Sequence, residues 1–427
     1  MKRQRQPLIL VVMVALFALA SPVSAQEAEP QEFEDITQIV ADVRGLEPLR
    51  PIELTPMTRE QLAVELQEDL LEDYPEDEQY ADERELLAFG LMDEHIDFGD
   101  LYIDLYSEQI AGYYDPETSE MVVIRDATDE AGFTPSQEVT YAHEIVHALQ
   151  DQHFDLDAGV LDREPLSDDQ ALAVTALIEG DASYAELQYL MENPELLEAF
   201  LQEIEVTEFD SSVLDAAPVI ISNTLIFPYE HGLTFVEALY SEGGWDLVNQ
   251  ALADPPASTE QILHPEKYLD GGAPVEIEVA DFTQELGDDW TVFDTNTFGE
   301  YQLRVILGET SMGEEQAERA AAGWGGDTYL VAGTDTEDAI LWESAWDTPQ
   351  DAEEFARAWA LYETERWGVG PTYVADNVLQ FETDEVVTRV ILDGDEVTYA
   401  MAPNVEMLET ILAAEAAPAT PAATPIS

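Results

Sequence analysis

Apolar positions along the first two thirds of the chain recur with helical spacing. Thr58-Arg59-Glu60-Gln61 reads as a capping box, and behind it Leu62, Leu66 and Leu70 share one helical face. A second helix is expected over about Glu83 to Leu91. The pattern then changes: Gly112-Tyr113-Tyr114 and Met121-Val122-Val123-Ile124 flank Asp115-Pro116-Glu117-Thr118, which predicts a hairpin with turn chemistry between two strands. The next helix opens at Thr134-Pro135-Ser136-Gln137, with threonine as N-cap, proline at the first helical position and glutamine three residues on. Its apolar stripe is Val139, Ala142, Val146 and Leu149. Further helix is predicted from Asp168 to Met191, ending near Asn193-Pro194. From Leu196 to Leu252 the chain reads as largely helical, with breaks at Phe227-Pro228-Tyr229 and Gly243-Gly244.

Beyond the Asp254-Pro255-Pro256-Ala257-Ser258 loop the spacing changes again. Helices near Glu314–Ala322 and Pro349–Leu361 alternate with strands near Thr328–Ala332, Ala339–Trp346, Val378–Glu382, Val386–Leu392 and Val397–Met401. The Ala/Pro/Thr-rich end from Ala413 reads as a disordered tail, and no internal repeat is evident. The predicted fold class is therefore α+β. A mostly helical domain with a small sheet covers residues 58–278, preceded by a segment at 26–57, and a smaller α+β domain covers 279–412.

Charge narrows the range of partners. The 427 residues hold 93 Asp+Glu against 15 Lys+Arg, a formal net charge of −78, yet 46% of positions are apolar, enough for substantial cores. Such a surface repels nucleic acid and anionic membranes, so neither is an expected partner. Lys267 is the one lysine after residue 25. That points to a halophilic surface, hydrated and screened in concentrated salt, ahead of ordinary solubility pressure.

The first 25 residues read as a signal peptide. Met1-Lys2-Arg3-Gln4-Arg5 is a basic start, Leu8 to Ala20 an apolar run too short to span a bilayer comfortably, and Val23-Ser24-Ala25 a small-residue cleavage site. The expectation is a protein secreted to the extracellular or periplasmic space, without a stable membrane anchor. The chain has no cysteine, which removes disulfides, thiolate metal ligands and a lipid-anchored start. Residues Gln26 to about Pro56 could serve as a pro-segment.

The chemistry is concentrated in His143-Glu144-Ile145-Val146-His147, an HExxH pattern. Histidines at i and i+4 lie one turn apart on one helical face, so both imidazoles reach a single tetrahedral metal. Glu144 then falls where a carboxylate can hold an attacking water and take its proton. A catalytic zinc needs a third protein ligand, for which the sequence offers two candidates. Glu179 lies 32 positions after His147 in Ile178-Glu179-Gly180-Asp181-Ala182, and His153 lies six positions after it. On an unbroken helix six positions amount to about 600° of rotation, which points His153 away from the face of His147. Gln150, standing where a chain-reversing glycine would be needed, favours continued helix.

HExxH followed by a helical Glu-Gly-x-Ala resembles the gluzincin metallopeptidases, and the similarity implies Glu179 as the third zinc ligand. The segments Tyr141–Leu156 and Ile178–Ser183, with Phe227-Pro228-Tyr229 and Ser258–Pro265, are similar to a group of mostly uncharacterised exported bacterial metallopeptidases. The resemblance spans about residues 40 to 270, and its one specific motif is the zinc site. It implies a zincin-like domain, Zn2+ as cofactor and a peptide or protein substrate. Several gluzincins carry an aspartate four residues after the glutamate ligand; here that position is Ser183, leaving the orienting partner of the histidines unassigned. The rival is a metzincin-like site with His153 as third ligand. Tyr229, His231 and His264 are the candidates for stabilising an oxyanion. His95 reads as a surface residue, and Met121–Ile124 either as a sheet edge onto which an extended peptide could add or as an ordinary buried strand. A non-catalytic exported binding module on the same scaffold, or a hydrolase of another bond, would share most of these features.

Overall fold

A computed structural model of the protein describes residues 30–62, 64, 74–92, 95–109, 112–116, 118–124, 133–156, 160, 166–207 and 211–416. The predicted signal peptide, Leu66 and Leu70 of the first predicted helix, and the chain beyond residue 416 lie outside the described residues. The protein is α+β, as its patterning predicts. It divides into two compact units: residues up to Gln79 together with Ile96–Ala273, and Tyr80–His95 together with the chain from Pro274 on.

In chain order the first unit holds α1 (Pro30–Arg44) and β1 (Leu54–Met57), followed by α2 (Glu76–Phe89), which passes into the second unit at Tyr80. It continues with α3 (Phe98–Gln109), β2 (Gly112–Asp115), β3 (Glu120–Ile124), α4 (Pro135–Phe154), α5 (Asp168–Glu192) and α6 (Pro194–Val206). The short α7 (Ser212–Ala216) precedes α8 (Val219–Ala253), and α9 (Thr259–Leu263) and α10 (Pro265–Leu269) complete the unit.

Local hydrogen bonding sets the start of α4. Thr134 accepts from the Gln137 amide and the Gln137 side chain accepts from the Thr134 amide, the reciprocal cap that the sequence predicts, with Pro135 in the first turn. The same reciprocity joins Thr58 and Gln61. Helix α4 stops at Asp155, whose φ of 57° is left-handed.

The hairpin pairs Gly112 with Val123 and Asp115 with Glu120. It belongs to a three-stranded sheet of order β1-β3-β2, in which β1 runs parallel to β3. Met121–Ile124 is therefore the central strand, and the expectation that it forms a free edge is wrong: residues 54–57, in a segment without strand patterning, cover that side. The edges are β1 and β2.

The core of the first unit joins α1, α4 and α5. Ile36, Val40, Ala41 and Leu46 pack with Met121, Val123, Tyr141, Ala142, Ile145, Val146, Leu149, Ala182 and Ala185. Each large apolar side chain buried in this way contributes roughly 1.5–3 kcal/mol. The N-terminal segment is thus part of the core, which conflicts with its reading as a removable pro-segment.

Helix α8 continues through Pro228, against the expected break at Phe227-Pro228-Tyr229; the ring removes one backbone hydrogen bond, and burial of Phe227 and Pro228 holds the helix together. It kinks at Gly244 (φ 63°, ψ −163°), where a break was expected. Helices α5 and α8 cross with their backbones in contact: a Cβ on Gly180 would stand 2.2 Å from the Gly232 carbonyl, and one on Gly232 would stand 2.0 Å from the Ala176 oxygen. Only glycine fits at these two positions.

The second unit is built on a seven-stranded sheet of order β4-β5-β6-β10-β9-β8-β7, antiparallel throughout. The strands are β4 (Thr291–Asn296), β5 (Trp324–Gly333), β6 (Asp338–Trp346), β7 (Thr372–Ala375), β8 (Val378–Glu382), β9 (Val387–Asp393) and β10 (Glu396–Ala402). Its helices are α11 (Thr283–Leu286), α12 (Gly299–Gly308), α13 (Glu314–Ala321), α14 (Pro349–Trp367) and α15 (Val405–Glu415). The last of these runs through Ala413, into the stretch expected to be a tail.

Alternation along the strands separates two buried faces. Leu330, Ala332, Leu341, Ala400 and Ala402 pack with Leu408 and Ile411 of α15. Tyr329, Trp342 and Tyr399 meet Phe355 and Trp359 of α14 and Phe89 of α2 through edge-to-face ring contacts. Residues 80–95 are integral to this unit. Arg84 pairs with Asp338, Tyr329 donates to Glu85 (2.6 Å), and Tyr362 donates to the Phe89 carbonyl (2.8 Å). His95 is exposed, as expected, and lies 3.0 Å from Glu83.

Candidate metal centre

His143, His147 and Glu179 come together at the crossing of α4 and α5, all three buried, each offering a donor atom within 4.8 Å of the others. Helical periodicity stacks the two imidazoles one turn apart, with ring centres 4.8 Å apart. Glu179 Oε2 lies 3.2 Å from His143 Nε2 and 3.7 Å from His147 Nε2. Both rings therefore turn the same nitrogen towards the carboxylate.

The opposite nitrogens are held from behind. His143 Nδ1 lies 3.0 Å from Glu186 Oε2, and His147 Nδ1 lies 2.7 Å from Gln150 Oε1. Gln150 donates to the Ile178 carbonyl (3.0 Å) and to Asp181 Oδ2 (2.7 Å). Sequence reasoning missed Glu186 and Asp181, and read Gln150 only as a helix former. Glu186 lies seven residues, close to two turns, after Glu179 on α5, so helical phase was the signal that could have found it.

Burial and the neighbouring charges shift the ionisable groups of the site in different directions. For His143, burial alone favours the neutral ring, but hydrogen bonds and charges from Glu179 and Glu186 outweigh it and hold the imidazole well above its ordinary value. Burial, then the charge of His143, pushes His147 well below its own. Burial raises Glu179, against hydrogen bonds from His143 and Tyr229.

Glu144 sits beside this group, fully buried, with neither carboxylate oxygen in a well-formed hydrogen bond and the Tyr114 amide of β2 nearby. Burial pushes its carboxyl up to about 8.

The remaining predicted residues separate clearly. The Tyr229 hydroxyl hydrogen-bonds Glu179, and its ring centre lies 6.4 Å from that of His143. Tyr229 is one turn before Gly232 and Glu179 is next to Gly180, so the glycine crossing of α5 and α8 sets this contact. His231 packs against Phe227, ring centres 5.0 Å apart, and His264 sits between α9 and α10; neither belongs to the three-residue group. His153, in the last turn of α4, is bound through Nε2 to the Glu47 carbonyl (2.8 Å), away from the group.

Residues 290–412 match a domain family described as "Domain of unknown function (DUF8575)". The match lies within the second unit and does not include the His143–His147–Glu179 group. No curated protein and no solved structure matches the chain.

A second group, Asp82, Glu85 and Asp294 in the second unit, also brings three carboxylates within 4.8 Å. It contains no imidazole, and Glu85 is already engaged by Tyr329.

Proposed function

We propose that this protein is an exported zinc-dependent peptidase with a gluzincin-like site on a zincin-like first unit. His143, His147 and Glu179 would hold Zn2+, and Glu144 would act as general base. The observation that carries the reading is the convergence of two Nε2 atoms and one carboxylate, buried, beside a further unpaired carboxylate.

The donor set fits the ion. His147 Nε2 is fully buried and has no hydrogen-bond partner, a costly arrangement unless a cation completes it. Both Nδ1 atoms are occupied from behind, as in metal-bound histidines. Two nitrogens and one oxygen suit zinc and leave a fourth position open to water and substrate.

When bound, the ion supplies Lewis acidity to the scissile carbonyl and to an attacking water. Glu144 would take the proton of that water and pass it to the leaving nitrogen; burial raises the proton affinity of its carboxyl, and a neighbouring cation would lower it again and favour the carboxylate that a base needs. Tyr229, in contact with Glu179, is the best placed of the three candidate donors to steady the oxyanion. The substrate class is peptide or protein. Export rests on the basic-apolar-small order of the first 25 residues, and among the described residues no helix is long and apolar enough to cross a membrane.

The test combines elemental mass spectrometry with a quenched fluorescent peptide library, both in high-salt buffer. The wild type is expected to carry close to one zinc per chain and to cleave. Glu179→Ala should lose the metal and His153→Ala should keep it. Zinc loss in His153→Ala alone would move the site to the metzincin pattern. A zinc-loaded wild type that cleaves nothing in the library, with Glu144→Gln indistinguishable from it, would favour a binding module. No zinc in folded, zinc-supplied wild type would overturn the proposal.

A further inference from the structure

We infer that Arg44, Asp181 and Gln150 form a positioning relay that locks His147 in its Nδ1–H tautomer and presents Nε2 to the metal, making the N-terminal helix α1 a working part of the centre. The inference rests on the metal-site reading above and extends it to Gln150, three positions after His147, to Asp181, two after Glu179, and to Arg44, 99 positions before His143 on α1.

The relay begins with a fully buried ion pair. The Arg44 guanidinium, with no exposed surface, lies with Nε 2.6 Å from Asp181 Oδ1, and its Nη2 donates to Asp181 Oδ2 at 3.0 Å. The Nε contact lacks hydrogen-bond alignment, so the Nη2 bond and the charge carry the pairing. Arg44 is itself fixed from two further sides: Nη2 donates to Asn249 Oδ1 (2.8 Å), and the guanidinium lies 4.3 Å from the centre of the Trp245 ring. Trp245 in turn donates to the Val43 carbonyl (2.8 Å), tying α8 beyond its kink to the end of α1.

Asp181 then determines which way Gln150 faces. The Gln150 amide nitrogen has two neighbours, the Asp181 carboxylate at 2.7 Å and the Ile178 carbonyl at 3.0 Å, and both are acceptors. A flipped amide would set its oxygen against two oxygens in a dry interior, so the orientation follows from the acceptors. That leaves Gln150 Oε1 facing His147 Nδ1 at 2.7 Å. An amide oxygen can only accept, so Nδ1 must carry the proton. A neutral imidazole protonated at Nδ1 has its lone pair on Nε2, the atom turned towards Glu179. Ion pair, amide and tautomer form one chain of determination from α1 to the metal-facing nitrogen.

The experiment reads the tautomer directly. Long-range proton–nitrogen-15 NMR of the zinc-free full-length mature protein, at a pH where His147 is neutral, is expected to show a single Nδ1–H form. In Gln150→Leu, which keeps the bulk and removes the acceptor, the ring should become a mixture of tautomers, and zinc affinity by competition with a chelator should fall about 10- to 100-fold. Arg44→Lys keeps the charge and loses the fork, and is expected to fall between the two.

An Nε2–H form in the wild type overturns the relay without any variant, so the inference stands or falls even if Gln150→Leu fails to fold. Unchanged zinc affinity in a folded Gln150→Leu would also overturn it. If the wild type binds no zinc at all, the proposed function falls; the tautomer measurement on the same sample still decides the relay.

Discussion

Glu144 and Gln150 occupy neighbouring turns of one helix, and the sequence reveals them unequally. Glu144 is legible because the chemistry of HExxH requires a carboxylate beside the first histidine. The base role proposed for it yields a direct expectation: Glu144→Gln should lower kcat by about 10²- to 10⁴-fold while zinc content stays at the wild-type level, checked by assay and elemental analysis of the same preparation. Gln150 is different, because its function depends on acceptors supplied by α5. Read on its own, it is a good helix former and nothing more. A third residue, Glu343 on β6, yields a prediction about pH. Burial, followed by the charges of Glu415 and Glu396, pushes its carboxyl up to about 7 against a hydrogen bond from Thr398. A carboxyl raised on folding favours the folded state while protonated, so this contribution is complete below about pH 4.5 and is lost as pH rises through about 7. Glu343→Gln should therefore lose less stability than wild type between pH 5 and pH 8, by on the order of 1–3 kcal/mol, measured by denaturant unfolding at the two values.

Among the elements, caps and turns were legible and crossings were not. The Thr134–Gln137 cap, the Asp115–Glu120 hairpin turn and most strands of the second unit follow from short-range patterns, and they lie where those patterns place them. Strand β1 was missed because four residues holding Pro56 have no alternation to detect; only pairing with β3 makes them a strand. Helix α8 was expected to break at Pro228, but tertiary burial overrides that local preference. The meeting of Gly180 and Gly232 is visible in sequence only as two ordinary glycines. It yields an expectation at this scale: Gly232→Ala should force α5 and α8 apart, cost about 1–3 kcal/mol and move Tyr229 off Glu179. A thermal melt should show a lower midpoint, and zinc affinity should weaken in the same variant. A Gly232→Ala protein with wild-type melting and affinity would show that the helices do not touch as described.

For the whole molecule, charge and chain order lead to different conclusions. A net charge of −78 opposes compaction through self-repulsion, and salt at molar concentration shortens its range to about 3 Å. The melting temperature is accordingly expected to rise between about 0.1 M and about 3 M KCl, with most of the gain at the low end if screening is the cause. A flat profile would leave ordinary solubility as the reason for the acidity. Chain order suggests two consecutive domains, whereas Tyr80–His95 joins the second unit through Phe89, Arg84 and Glu85, none of which shows a distinguishing pattern. The N-terminal segment likewise belongs to the first unit's core, so N-terminal sequencing of the processed protein should find α1 retained. By itself the sequence determined the α+β class, the helix carrying His143 and His147, the two residues that could complete a group with them and the acidic surface. Each of these rests on residue type or on spacings of a few positions, where backbone geometry alone decides which side chains meet. Tertiary structure decided the rest: Glu179 and not His153 beside the two histidines, Glu186 and Gln150 behind the imidazoles, and Arg44 reaching Asp181 across 137 positions. Such contacts depend on how helices cross, and crossing is set by the packing of many side chains at once, which no local period records.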